Sequence, residues 1–353
     1  MKKSLLFKTI VLSVFAMLAY PFISAGNPEK EETFKVLQLN TWCEGQIVKG
    51  GPEAIMQIIS DTEADVVLLQ EVRGQKFIDD TIQYLKEKGM TYYGYSLNIS
   101  TAFLSRYPIQ KVRSSEELGG DSYAFVKAEV QMKGCEFVFY SLHLDWKHLS
   151  FYNVRGFDGQ SDLRPYARTA FMTDAKQVIA ETSLSRRNHE IQAVISDAQK
   201  DIAEGKIVIL GGDFNEPSYL DWKRNTRNLR DHNGLMVKWP CSIMLSENGY
   251  RDCYRVIHPN AVSHPGFTCN AGNPHVPKWE LCWALGVDDR ERLDRIYYHP
   301  DKRISLVDSY IIGPEEDFWD NDIRLEPTDD IIHTPDCVWP SDHKGNVAVF
   351  KVK

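Results

Sequence analysis

An α/β sandwich, two packed sheets covered by helices, is the fold class this sequence predicts. Three observations carry it. Short apolar runs with strand character recur along the chain, several continuous enough to be buried on both faces. Amphipathic stretches of helical length lie between them. No Gly/Ser/Pro-rich linker, internal repeat or low-complexity tract divides the 353 residues, which favours one large domain over two small ones. Strands and helices mixed in this way bury their apolar faces only by stacking in layers.

The chain opens on a segment that reads as an export signal. Lys2, Lys3 and Lys8 make a basic start, residues 9–20 an apolar stretch too short to span a bilayer comfortably, and Ser24-Ala25-Gly26 a small-residue cleavage region. An uncleaved N-terminal anchor is the alternative. No cysteine precedes Cys43, so a lipid-anchoring cysteine at the cleavage point is absent. Residues 1–25 are therefore expected to be a signal peptide. Residues 26–353 are expected to form an exported domain, periplasmic or extracellular, monomeric and without a membrane span.

Residues 34–39 alternate as a strand with Asn40 at its tip. Residues 52–60 read as a short helix. Residues 65–70 are a buried strand that delivers Glu71, and 76–88 an amphipathic helix. Strands follow at 101–104, 123–130 and 136–142, the last delivering His143. Helices are predicted over 165–181, with Pro165 suited to a first turn, and over 187–203, with Gly205 suited to an end. Residues 206–210 form a buried strand ahead of Asp213. Strands at 293–298, 303–312 and 346–352 complete the set.

Charge and cysteine usage narrow the partners. Loss of residues 1–25, with three lysines and no acid, takes the formal net charge from -8 to -11. So acidic a chain gains no bulk attraction to nucleic-acid backbones or anionic membranes, although a local basic groove could act alone. The seven cysteines include no CxxC pair, which argues against a structural zinc. In an oxidising compartment some could pair, and Cys253, Cys269 and Cys282 lie where staples would be useful.

Six segments place acids, amides and two histidines at strand ends, where α/β proteins tend to bind ligands. They hold Asn40, Gln70-Glu71, His143-Leu144-Asp145, Gly211-Gly212-Asp213-Phe214-Asn215-Glu216, Arg292-Leu293-Asp294-Arg295 and Ser341-Asp342-His343. Hydrolysing a phosphate ester needs a positioned water, a cation against the phosphoryl oxygens and donors near the leaving oxygen. Glu71 is the best hard-oxygen ligand, for Mg2+ or with Mn2+ or Ca2+ as alternatives, because its strand is too apolar to need a terminal acid. Asn40 either caps a turn or contacts metal or phosphate. Gly211 and Gly212 allow a sharp turn and a close substrate. Asp213 and Asn215, two apart, would share a face in an extended stretch and hold a water between them. The bland reading of that pair is an Asx-turn. His143 and His343 can donate to a phosphoryl oxygen or assist the leaving group. Asp342 could complete the metal site, and Asp294 could orient one imidazole.

Trp42, Trp146, Phe151, Tyr152, Phe157 and Tyr166 cluster around these segments. Core packing explains most of them, with Trp146 or Tyr152 a candidate pocket wall. Lys147, Arg155, Arg164 and Arg168 could hold phosphate, as could Lys223, Arg224, Arg227 and Arg230; a solvated face is the default for both runs.

Residues 212–218, 293–297 and 339–343, the last reading Trp-Pro-Ser-Asp-His, resemble the endonuclease/exonuclease/phosphatase superfamily. The likeness runs from about Phe34 to the end, and 211–222 with Trp239-Pro240, His258-Pro259 and 264–268 looks like a secreted bacterial branch. The resemblance implies a four-layer α/β sandwich and a divalent-metal phosphoesterase acting on a phosphomonoester or phosphodiester. It implies Glu71 as principal metal ligand with Asn40 and Asp342 beside it. It implies Asp213 activating water, Asn215 on the phosphate, His143 and His343 stabilising the transition state, and Asp294 paired with His343. For His143 the supporting group is left among Asp145, Asn98 and Glu117. The acidity and the aromatics lean toward a small or headgroup-like substrate. An extracellular endonuclease of the same superfamily and a non-catalytic phosphate-ligand binding protein are the alternatives.

Overall fold

Chain register alone brings reactive side chains to one end of two sheets. The computed structural model describes residues 32–97, 100–121, 123–160 and 164–353, of which 32–353 form one compact unit. The export signal expected at residues 1–25 lies outside the described residues. One sheet has seven strands in the order Ile332–His333, Ile304–Ile312, Gly345–Val352, Thr33–Asn40, Val66–Gln70, Thr101–Ser105 and Tyr93–Tyr95. Thr33–Asn40 and Val66–Gln70 run parallel with Asn40 opposite Gln70, so Asn40 and Glu71 leave the same edge. The other sheet has six strands: Ile109–Ser114, Phe125–Met132, Cys135–His143, Ile207–Asp213, Asp294–Tyr298 and Arg251–Asp252. There His143 lies opposite Asp213 in a parallel pair, and Asp294 opposite Asp213 in an antiparallel one.

Three apolar layers follow from strand alternation. Between the sheets, Phe34, Val36, Val66, Leu68 and Phe103 meet Val126, Ala128, Phe137, Phe139, Ile207 and Ile209. Outside the first sheet, Leu37, Leu39, Val67 and Leu69 are covered by Ile55, Ile58, Ile59, Phe77 and Ile78 from helices Gly51–Thr62 and Gln75–Glu87. Outside the second, Val138, Tyr140, Val208 and Leu210 pack on Ile191, Val194, Ile195 and Leu245 from helices Arg187–Ala203 and Pro240–Glu247. Helix, sheet, sheet, helix is the four-layer sandwich expected from the sequence.

A polar strip interrupts the inter-sheet core near the reactive edge. Gln38 Nε2 donates to Gln70 Oε1 and to Asp294 Oδ1, both at 2.7 Å. Asn346 Nδ2 donates to Gln38 Oε1 at 2.9 Å, and Gln70 Nε2 to Ser141 Oγ at 3.1 Å. All five residues are fully or almost fully buried, so each bond offsets a desolvation cost that water would otherwise have met.

Three local expectations are corrected. Only Ala175–Thr182 of the helix expected over 165–181 forms, started by the Asp174 side chain accepting from Lys176 N at 2.9 Å. Upstream, tertiary partners take the backbone: Tyr166 N donates to Trp283 O at 2.7 Å and Thr169 N to Gly156 O at 2.9 Å. Gly211 and Gly212 sit inside a strand and make no turn; a Cβ on Gly212 would lie 1.9 Å from Leu142 O. The stretch holding Cys253, Cys269 and Cys282 uses no disulfide, and all seven cysteines are free. Buried charge pairs tie that stretch down, with Arg255 Nε on Asp221 at 2.6 Å, Arg292 on Asp221 and Asp252, and Arg155 on Glu291.

Candidate active site

Asp213, 1% exposed, is the point on which the strand ends converge. Asn40 Nδ2 donates to Asp213 Oδ2 and to Glu71 Oε1, at 3.1 Å each, and so links the two carboxylates. Asp213 Oδ1 accepts from Asn215 N at 2.8 Å. The Asx-turn and the site are therefore one arrangement: Asn215 has a left-handed backbone (φ 48°), not an extended one, and its Nδ2 donates to Leu144 O at 2.9 Å. Glu71 is left-handed too (φ 58°). Such backbone is uncommon outside glycine and is held here by the surrounding hydrogen bonds.

Two imidazoles face Asp213, with His143 Nε2 at 3.8 Å and His343 Nε2 at 4.0 Å from Oδ2. His343 Nδ1 lies 2.7 Å from Asp294 Oδ2. Asp294 is in turn oriented by Gln38, and the Thr268 hydroxyl oxygen accepts from its backbone N–H at 3.0 Å. Burial opposes charge on His343, yet the Asp294 carboxylate and Cys269 beside it hold its pKa well above the usual value. His143 Nδ1 instead meets Ser100 Oγ at 2.8 Å. Asp145 serves the start of the helix Arg187–Ala203, accepting from Arg186 N at 3.0 Å, and Glu117 bonds Ser114. Neither reaches His143 by a described hydrogen bond, and Asn98 lies outside the described residues. Ser341 fastens the last segment to the first: its Oγ donates to Asn40 O at 2.8 Å and accepts from His343 N at 3.1 Å.

These groups open on a cleft of about 410 Å³. Glu71, His143, Asp213, Asn215, Asp342 and His343 line it on the polar side. Trp42, Trp146, Phe151, Tyr152, Tyr166 and Trp283 line it on the other, with Arg164 held 4.1 Å over the Trp283 ring. Both Trp146 and Tyr152 thus belong to the wall, whereas Phe157 is core. Among the basic runs only Arg164 lines the cleft; Arg155 is fully buried against Glu291.

Two groupings could hold a cation. Asp213, Asp294 and His343 offer ligand atoms within 4.8 Å of one another, but Asp294 and His343 already satisfy each other. The Glu71–Asp342 side fits better. Asp342 is 3% exposed, and its Oδ1 is buried without a hydrogen-bond partner. Burial pushes its carboxyl up to about 7; His343 opposes the shift and the neighbouring Glu71 carboxylate adds to it. Two neighbouring carboxylates, Glu71 half-buried and Asp342 buried with an orphaned oxygen, suit a hard divalent ion.

Residues 37–343 match the Endonuclease/Exonuclease/phosphatase family, and the chain belongs to it. It is accordingly a hydrolase acting on phosphate ester bonds. The uncharacterized protein F14F9.5 of Caenorhabditis elegans is 27% identical over 274 residues, covering 75% of this chain and 78% of its own length. Among solved structures, truncated Caenorhabditis elegans TDP2 superposes with a TM-score of 0.51 at 17% identity, over 91% of this chain and 98% of that one. An AP endonuclease from Archaeoglobus fulgidus gives 0.50 at 16%, over 90% and 99%. At these identities the structural likeness speaks for the fold.

Proposed function

We propose that this chain is an exported, divalent-metal-dependent phosphoesterase that hydrolyses a small or headgroup-like phosphomonoester or phosphodiester by in-line attack of water. The observation that carries the reading is the meeting of Glu71, His143, Asp213, Asn215, Asp342 and His343 on one cleft, with Asn40 and Asp294 hydrogen-bonded to them from behind. Glu71 and Asp342 would hold the ion, with Asn40 orienting Glu71. Bound there, a divalent cation supplies charge to offset that on the phosphoryl oxygens.

Asp213 takes the proton of the attacking water at Oδ2, the oxygen that Asn40 orients and both imidazoles face. The Asn215 amide helps place the phosphate. His343, kept protonated by Asp294, donates from Nε2 to a phosphoryl oxygen as its charge grows. His143 acts from the opposite side, steadied by Ser100. Among the described residues Arg164 is the one basic side chain that lines the cleft beside its aromatic wall. So sparse a positive lining favours a small ester over duplex nucleic acid. Export is supported by the basic start and apolar stretch of residues 1–20.

The test is a metal-supplemented screen of aryl phosphate esters, sugar phosphates, phospholipid headgroups and DNA, run in parallel on the parent and Asp213→Asn. The variant should lose about two to four orders of magnitude in rate. Equal rates, or ligand capture without turnover in a calorimetric titration, would overturn the reading.

A further inference from the structure

We propose that Arg164 sets the substrate class of this cleft by receiving an acid group on the leaving side of the ester. Anionic leaving groups are then preferred, and quaternary ammonium headgroups are turned away. The inference rests on the hydrolytic reading above and narrows it. Of the tryptophan, tyrosine and phenylalanine rings in the cleft wall, two can be covered by a ligand. Trp42, Phe151, Tyr152 and Tyr166 are at most 5% exposed, whereas Trp146 is 43% exposed and Trp283 half-buried. Both of those tryptophans already carry a cation on a ring face. The Arg164 guanidinium lies 4.1 Å from the Trp283 ring centre, and the Lys147 ammonium 4.2 Å from that of Trp146.

An aromatic face attracts cations through its quadrupole, so an empty aromatic cage would suit a quaternary ammonium group. Here the protein's own cations hold those faces, and a substrate cation beside them would meet like charge. An acid group meets the opposite situation: positive charge set against an otherwise apolar wall.

Arg164 is also held ready. Its Nη1 donates to Glu280 O at 2.7 Å. The adjoining chain is tied to the same strip, with Tyr166 N on Trp283 O at 2.7 Å and Arg168 Nη2 on Leu285 O at 3.0 Å. A stacked and anchored guanidinium loses little freedom when it binds an acid. Among the described residues no acceptor is bonded to its Nε or Nη2, and that edge of the fork can take a carboxylate or a phosphate. The guanidinium lies within Coulombic reach of the metal side too: burial raises the Asp342 carboxyl, and the Arg164 charge is among those that oppose it. An ester with its phosphoryl group at Asp342 therefore needs only a short leaving group to bring an acid to Arg164.

The test compares, by kcat/KM with Mg2+ present, aryl phosphomonoesters that differ only in the group para to the ester oxygen: carboxymethyl, carbamoylmethyl or trimethylammoniomethyl. The parent should favour the carboxymethyl ester over the neutral one by about tenfold or more, mainly through KM, and place the cationic ester last. In Arg164→Ala the ratio of anionic to neutral ester should fall to about one, and in Arg164→Glu the order should invert. A ratio that survives in Arg164→Ala overturns the proposal. A uniform loss on all the esters does so as well, by marking Arg164 as a support for Asp342. Calorimetric titration with the matching non-hydrolysable phosphonates separates this from the hydrolytic reading. Binding of the carboxymethyl phosphonate to the parent about tenfold tighter than the neutral one, and lost in Arg164→Ala, keeps the subsite even if no ester turns over. Equal affinities for all the phosphonates remove the role of Arg164 and leave hydrolysis standing.

Discussion

At the scale of single residues, His343 works through Asp294. Its Nδ1 is tied to that carboxylate, and Gln38 and Thr268 fix the carboxylate from behind. The imidazole pKa is raised, so charge is favoured below the folded value and lost as pH climbs through it. Asp294→Asn removes the negative partner. We expect kcat to fall about two orders of magnitude and the alkaline limb of the pH–rate profile to move to lower pH. A profile that keeps its alkaline limb would remove His343 as the titrating donor. The eight residues brought together here were legible because each sits at or beside a strand end in a short segment of acids, amides and histidines, Glu71 most plainly because its strand is otherwise apolar. Gln38, Thr268 and Ser100 were not. Gln38 lies mid-strand among apolar neighbours and reads as an ordinary alternation, and a hydroxyl two segments away from its histidine leaves no local pattern.

Single elements set where those residues stand. Strand Ile207–Asp213 needs a bare backbone at residue 212 because Leu142 O occupies the space a side chain would take. Gly212→Ala should cost about 1–3 kcal/mol in urea unfolding, by forcing the two central strands apart. The helix Arg187–Ala203 carries a different load. Burial pushes the Glu190 carboxyl up to about 7, while its Oε2 accepts from Asp145 N at 2.9 Å. As pH rises from about 4.5 to about 7 the unfolded chain gives up this proton first, so the group lowers stability across that window and is constant above it. Glu190→Gln should therefore gain stability relative to the parent over the same interval. A gap that does not vary with pH, measured by urea denaturation, would contradict the assignment. The long inner strands and the long helix were readable from period and length, whereas the edge strands Ile109–Ser114, Tyr93–Tyr95 and Arg251–Asp252 were not. The helix over 165–174 failed because its backbone hydrogen bonds go to Gly156 and Trp283, partners that sequence spacing does not reveal.

For the whole molecule, the acidic net charge and the lining of the cleft point the same way. With a formal charge of -8 and, among the described residues, one cleft-lining arginine, hydrolysis of a small ester should vary less than about threefold between about 50 and about 200 mM NaCl. A steep fall with salt would instead mark a polyanion-binding enzyme. Layer order was recoverable from the alternation of strand and helix, but the way the sheets are joined at the reactive edge was not, because it depends on Gln38, Gln70, Asn346 and Asp294 meeting across a gap. That junction has a consequence for how the protein fails. The amides that aim Asp294 also stitch one sheet to the other, so turnover cannot degrade gradually ahead of denaturation. Residual activity and tertiary fluorescence should vanish at one common denaturant concentration, with no intermediate plateau of folded but idle protein.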